Sequence, residues 1–245
     1  MTPVLLIHGL FGSLNFPRIL SSLGERQVFA PDLLGYGAYR DNGKQNWTLQ
    51  DQADHIARWL QGYASEPVHV IGHSVGGAIG VLFAHRYPEM TQSLTSVEGN
   101  FTLKDAFWSQ KIATQSQAQV EEEIAGFKAD VGAWIARSGV PDTPFARQTA
   151  QAWLDNQPAT TIHTQARAVV EATGHAQYLT HIAELLASGL GLHLVAGARS
   201  RSEWDVPLWV ARAARSQTSI PDTGHLMMLE KPEIFGQTLV NNLSD

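Results

Sequence analysis

The chain has 245 residues, 44% of them hydrophobic, with a formal net charge of −6 and no cysteine. That length suits one core domain with an insertion, and the composition is that of a globular chain with a large buried core. An acidic balance without a basic patch argues against nucleic acid as a partner, and the missing cysteines exclude disulfides, thiolate metal sites and a cysteine nucleophile.

No apolar run reaches the ~18–20 residues of a bilayer-spanning helix, so no membrane partner is expected. Met1-Thr2-Pro3 leads straight into Val4-Leu5-Leu6-Ile7, without the positively charged start of a signal peptide. The expected location is therefore cytoplasmic.

Val4 to Ile7 is an apolar run stopped by His8-Gly9, and it reads as a buried strand. A glycine-punctuated loop, 8–13, follows. A second strand is predicted from Gln27 to Ala30, ending at Pro31-Asp32, with the loop Leu33-Leu34-Gly35-Tyr36-Gly37 after it. Thr48-Leu49-Gln50-Asp51 has the form of a capping box, and Leu49, Ala53, Ile56, Ala57 and Leu60 fall on one helical face. The third strand is Val68 to Ile71, followed by Gly72-His73-Ser74-Val75-Gly76-Gly77 and a helix from about Gly77 to Arg86. A fourth strand, Leu94 to Val97, ends in Glu98-Gly99-Asn100.

From Phe101 to about Ser188 no strand-like run appears. Val120, Ile124, Phe127, Val131 and Ile135 form one helical stripe. Three further helices are predicted, separated by prolines. This stretch reads as an all-helical cap inserted between two strands. The sheet resumes at Leu192 to Ala196, followed by a helix around Val206 to Ala214, a short strand from Gln217 to Ile220, the loop Pro221 to His225 and a closing helix from Ile234 to Leu243. The fold class is therefore α/β, a mostly parallel doubly wound sheet. Its core is 1–100 and 189–245, and the helical cap is 101–188.

Gly-x-Ser-x-Gly between a strand and a helix reads as a nucleophile elbow. A side chain at Gly72 or Gly76 would meet neighbouring backbone, and Ser74 would be held strained with its hydroxyl above the sheet. Ser74 needs a base. Among ten histidines, His225 follows the last strand and completes the order serine, acid, histidine. His8 and His73 read as structural. Asp32 reads as a turn former that bonds nearby N–H groups. No metal-site spacing is present, and Gly35-Tyr36-Gly37 is too short and misplaced for a dinucleotide fingerprint, so no cofactor is expected.

The motifs, in this order, resemble those of the α/β-hydrolase superfamily in its capped serine hydrolase and esterase branch. They are His8-Gly9 after the first strand, Asp32 to Gly37 after the second, Gly72 to Gly77 after the third and Gly224-His225 after the last. The match covers about 1–100 and 190–245. The superfamily normally has antiparallel strands before its first parallel one, so the resemblance implies a sheet shortened at that edge. It also implies oxyanion donors at the backbone N–H groups of Leu10 and Val75.

The superfamily's usual acid position falls at Ser200, in Gly197-Ala198-Arg199-Ser200. Its other location, used by haloalkane dehalogenases among others, corresponds to Glu98. Asp205 and Glu203 are the alternatives, and Glu98 could instead cap the following helix. Phe11, Phe101, Trp108 and Trp134 are expected to line the substrate pocket. Other aromatics of the cap should pack its own interior.

The function implied is a serine esterase acting on a small-molecule ester of small or medium size. C–C bond hydrolysis, thioester hydrolysis or lyase chemistry would use the same triad. A non-catalytic ligand-binding protein is the reading from a different class. The oligomeric state is left open.

Overall fold

A computed structural model describes residues 1–41 and 46–243. Six strands form one sheet: β1 (Val4–Ile7), β2 (Val28–Phe29), β3 (Val68–His73), β4 (Thr91–Val97), β5 (Gly191–Gly197) and β6 (Ser216–Ile220). Their order is β2-β1-β3-β4-β5-β6, and every pair is parallel. Strands covered on both faces by crossover helices form near-continuous apolar runs. β1 accordingly has no residue more than 1% exposed.

The core helices are α1 (Pro17–Ser22), α2 (Leu49–Leu60) and α3 (Val75–Arg86). Thr48 and Asp51 form the capping box expected at the start of α2. α3 is apolar around its whole circumference because it is buried between β3 and β4 on one side and helices on the other. Between β4 and β5 lie six helices: α4 (Phe107–Thr114), α5 (Gln117–Ala129), α6 (Val131–Arg137), α7 (Pro144–Asp155), α8 (Ala159–Gly174) and α9 (Ala176–Ala187). α8 packs on α2 and α3, and α9 packs on α3, so one apolar core runs from the sheet into the insertion. The chain ends with α10 (Leu208–Ala213), α11 (Met227–Glu230) and α12 (Pro232–Asn242). No helix among the described residues is long and apolar enough to cross a membrane.

Several elements differ from the sequence reading. The second strand shrinks to Val28–Phe29, paired only through Val4 and Leu5 of β1. The stripe from Val120 to Ile135 is two helices, because Asp130 leaves helical geometry and its carboxylate caps the Ala133 N–H at 2.9 Å. α1, α4 and α11 are too short for periodicity to reveal.

The topology sets the position of the site. From β1 the chain steps outward to β2, then returns to β3 on the other side of β1. Loops leaving neighbouring strands in opposite directions open a crevice at such a switch point. The register brings the strand ends level: Ile7 beside Gly72, His73 beside Val97, Val97 beside Val195 and Gly197 beside Ile220. The loops carrying His8, Ser74, Glu98, Ser200 and His225 therefore emerge at one edge.

Candidate active site

Ser74 joins β3 to α3 with φ 54° and ψ −124°, a conformation that side chains rarely adopt. Its surroundings enforce it. A Cβ on Gly72 would run into the Gly76 carbonyl, and one on Gly76 into the carbonyls of Ile7 and His8. The backbone is tied down as well, with Ser74 N–H donating to Val97 O at 3.0 Å and Gly77 N–H to Ser74 O at 2.8 Å. Val75 is the first residue of α3, and a helix's opening N–H groups have no intrahelical partner. Among the described residues, neither the Val75 nor the Leu10 N–H has a protein acceptor. The Leu10 carbonyl is fixed from behind by the hydroxyl of the fully buried Tyr36, at 2.8 Å.

Glu98 is the carboxylate that meets His225. The imidazole Nδ1–H donates to Glu98 Oε2 at 2.6 Å. The other oxygen, Oε1, accepts from Gly197 N–H at 2.8 Å and from the Ser200 hydroxyl at 2.6 Å. Burial pushes the Glu98 carboxyl up. The bond and charge of His225, the Ser200 hydroxyl and the Gly197 N–H outweigh that and leave it below the ordinary carboxylate range. Glu98 also has a positive φ of 41°. It caps no helix. The alternatives lie elsewhere: Asp205 accepts from the Thr102 hydroxyl at 2.7 Å, and Glu203 is exposed at the cavity rim without a bond to His225.

Ser74, Glu98 and His225 open into one cavity of about 560 Å³, which also takes in Leu10, Phe11, Trp108, Trp134 and Trp153. That volume fits a ligand of small to medium size. Ser74 Oγ and His225 are not hydrogen-bonded to each other among the described residues. Bonds of this kind are often long until substrate is bound. The pocket wall is an aromatic cluster. Trp108 and Trp134 each stack on Phe127, with centroids 5.9 and 5.7 Å apart, and Phe11 meets both indoles edge-on.

Phe101 is a correction. It is 1% exposed, lies against Trp204 and borders a separate apolar recess with Val81, Leu94 and Ile182. The turn after Glu98 aims its ring into the core, because Asp105 captures the Phe101 N–H at 2.9 Å.

The two other motif histidines are buried and neutral. Burial pushes His8 down to about 4, and its Nδ1–H donates to Gly9 O at 2.9 Å. Burial and the neighbouring His225 push His73 down to about 3, and its Nε2–H donates to the His225 carbonyl at 3.0 Å. Asp32 accepts the Ala38 N–H at 3.0 Å, as a turn former should.

Sequence reasoning missed three supports. Asp105 orders the segment after Glu98, and burial raises its carboxyl to about 6. Arg199 and Glu230 pair at 2.7 Å, and Glu230 accepts the Gly224 N–H, which holds the His225 loop. Asp105 and Glu230 bond backbone three to six residues before them, where an acidic residue just after a loop is the signal that could have found them, while no spacing rule links Arg199 to Glu230 across 31 residues. Among the described residues no group of three or more His, Asp or Glu side chains is placed to hold a metal ion.

A family model described as "Alpha/beta hydrolase family" matches residues 4–237. Lipase 1 of Psychrobacter immobilis is 38% identical over 110 residues, which is 44% of this chain and 33% of the lipase. The 2-hydroxy-6-oxo-2,4-heptadienoate hydrolase of Pseudomonas putida is 27% identical over 134 residues, 50% of this chain and 49% of that enzyme. The match thus spans a third to a half of these relatives' length. A crystal structure of a hydrolase from Pseudomonas aeruginosa superposes with a TM-score of 0.70 at 18% identity, over 100% of this chain and 91% of the other.

Proposed function

We propose that this chain, which belongs to the alpha/beta hydrolase family, is a serine hydrolase that cleaves a small or medium carboxylic ester through an acyl-enzyme intermediate. The observation that carries the reading is the 2.6 Å bond from His225 Nδ1–H to Glu98, opening into the same cavity as the Ser74 elbow. Glu98 orients the imidazole and leaves Nε2 as the base. Ser74 Oγ attacks the ester carbonyl while its proton passes to His225 Nε2. The carbonyl oxygen becomes an oxyanion, held by the N–H groups of Leu10 and Val75. Collapse breaks the C–O bond, and His225 returns the proton to the departing alcohol. Water then repeats the sequence on the acyl-enzyme, releasing the carboxylic acid and free Ser74.

The aromatic wall of Phe11, Trp108 and Trp134 suits an apolar acyl or alcohol group. The same machinery serves C–C bond hydrolysis, and the Pseudomonas putida relative is named as a hydrolase of 2-hydroxy-6-oxo-2,4-heptadienoate, a substrate whose name contains no ester. A panel of p-nitrophenyl esters and vinylogous 1,5-diketones separates the two. Ser74→Ala should abolish p-nitrophenyl butyrate hydrolysis and fluorophosphonate labelling while the fold is retained. Wild-type protein that takes up no serine-directed probe would overturn the proposal.

A further inference from the structure

Position 200 carries a serine whose local role does not explain its placement. Ser200 immediately precedes the 3₁₀ turn Arg201–Glu203, where a serine hydroxyl ordinarily accepts from the turn's own N–H groups. It makes no such bond. Its hydroxyl instead donates across the sheet end to Glu98 Oε1 at 2.6 Å, from 102 residues away in sequence. The Gly197 N–H meets the same oxygen at 2.8 Å. The two donors sit at the end of β5, while Glu98 sits at the end of β4.

We infer that Ser200 is a positioning residue for catalysis. Together with Gly197 N–H it pins one oxygen of Glu98, so that the other stays aimed at His225 Nδ1. A glutamate has one more rotatable bond than an aspartate, and a carboxylate held by a single contact could swing away from the ring. Two charge-assisted bonds on Oε1 remove that freedom. The positive φ at Glu98 serves the same end by turning its side chain toward β5.

This inference rests on the proposed triad, and its test is built to fail separately. Ser200→Ala should lower kcat for p-nitrophenyl butyrate about tenfold with KM unchanged, the loss appropriate to one bond to a charged group. Ser200→Thr, which keeps the hydroxyl, should stay within about threefold of wild type. If Ser200→Ala does not fold, Ser200→Cys keeps the volume with a weaker donor and should show an intermediate loss.

A transplant gives a second readout. Ser200 Oγ lies 2.6 Å from the carboxylate, so a carboxylate grown from position 200 reaches the space Glu98 would vacate, and glycine tolerates the φ of 41° at position 98. The double variant Glu98→Gly, Ser200→Asp should recover at least about tenfold of the turnover lost in Glu98→Gly alone. A Ser200→Ala enzyme with unchanged kcat, or a double variant no better than Glu98→Gly, overturns the inference. If Ser74→Ala abolishes turnover in the same assay, the serine hydrolase reading survives that failure.

Discussion

Glu98 is where a single functional group decides most. It is 5% exposed, and both of its oxygens are engaged. Replacing it by glutamine keeps the volume but offers the His225 Nδ1–H a neutral partner, or an amide that turns the wrong way. Glu98→Gln should lower kcat by about 10²–10⁴-fold, the range seen when the orienting carboxylate of such a triad becomes an amide. Asp205→Asn should leave turnover within about twofold, since Asp205 is occupied by Thr102. Equal losses in the two variants would remove Glu98 from its proposed role. At this scale Ser74 and His225 were legible because their neighbours in sequence are glycines and strand ends. Glu98 was legible only as one of three carboxylates, since the choice depends on the hydroxyl of Ser200 and the N–H of Gly197, both about a hundred residues away. Phe101 was misread because nothing in sequence tells whether a residue after a strand faces the cavity or the core.

The turn from β3 into α3 depends on space as much as on conformation. Gly76 packs so closely on the ends of β1 that any Cβ collides with two carbonyl groups, which cannot move without unpairing the sheet. Gly126, on the exposed face of α5, has nothing within 4 Å of its would-be Cβ. The two should respond oppositely to the same change. Gly76→Ala should destabilise by about 3 kcal/mol or more through overpacking. Gly126→Ala should stabilise by about 0.5–1 kcal/mol through helix propensity. Urea denaturation measures both, and a tolerated alanine at position 76 would contradict the elbow geometry. The elements themselves were readable wherever burial on both faces produced an apolar run, unbroken in β1 and interrupted by one histidine within Val68 to Ile71 and within Leu192 to Ala196. They were not readable where a side chain overrode periodicity, as Asp130 does between α5 and α6, or where a helix is as short as α1.

Across the whole molecule, the imidazoles of His8, His55, His73 and His193 are buried on or beside the sheet, and this makes the fold sensitive to acid. His8 and His73 are kept neutral down to about 4 and about 3 by burial, and burial lowers His55 and His193 in the same direction. The unfolded chain takes up protons on these rings near pH 6.5 and the folded chain does not, so stability is lost as pH falls below that value. Between about pH 6.5 and pH 4.5 the loss is about 2–3 kcal/mol for each of His8 and His73. Asp105, raised to about 6 by burial, binds its proton earlier in the folded state and works the other way, returning about 2 kcal/mol over the same interval. Glu98, held below the ordinary range, adds to the loss only below the usual carboxylate value. The melting temperature should therefore fall by about 10 °C between these two pH values for a chain of this size. His73→Gln keeps an N–H donor for the His225 carbonyl but cannot titrate, so it should remove most of that fall, because Asp105 then offsets nearly all that His8 loses. Melts of the wild type and of this variant across the interval decide it. A wild-type melting temperature that stays level, or a variant that falls as steeply as the wild type, would show that the buried histidines do not set the acid limit of the fold.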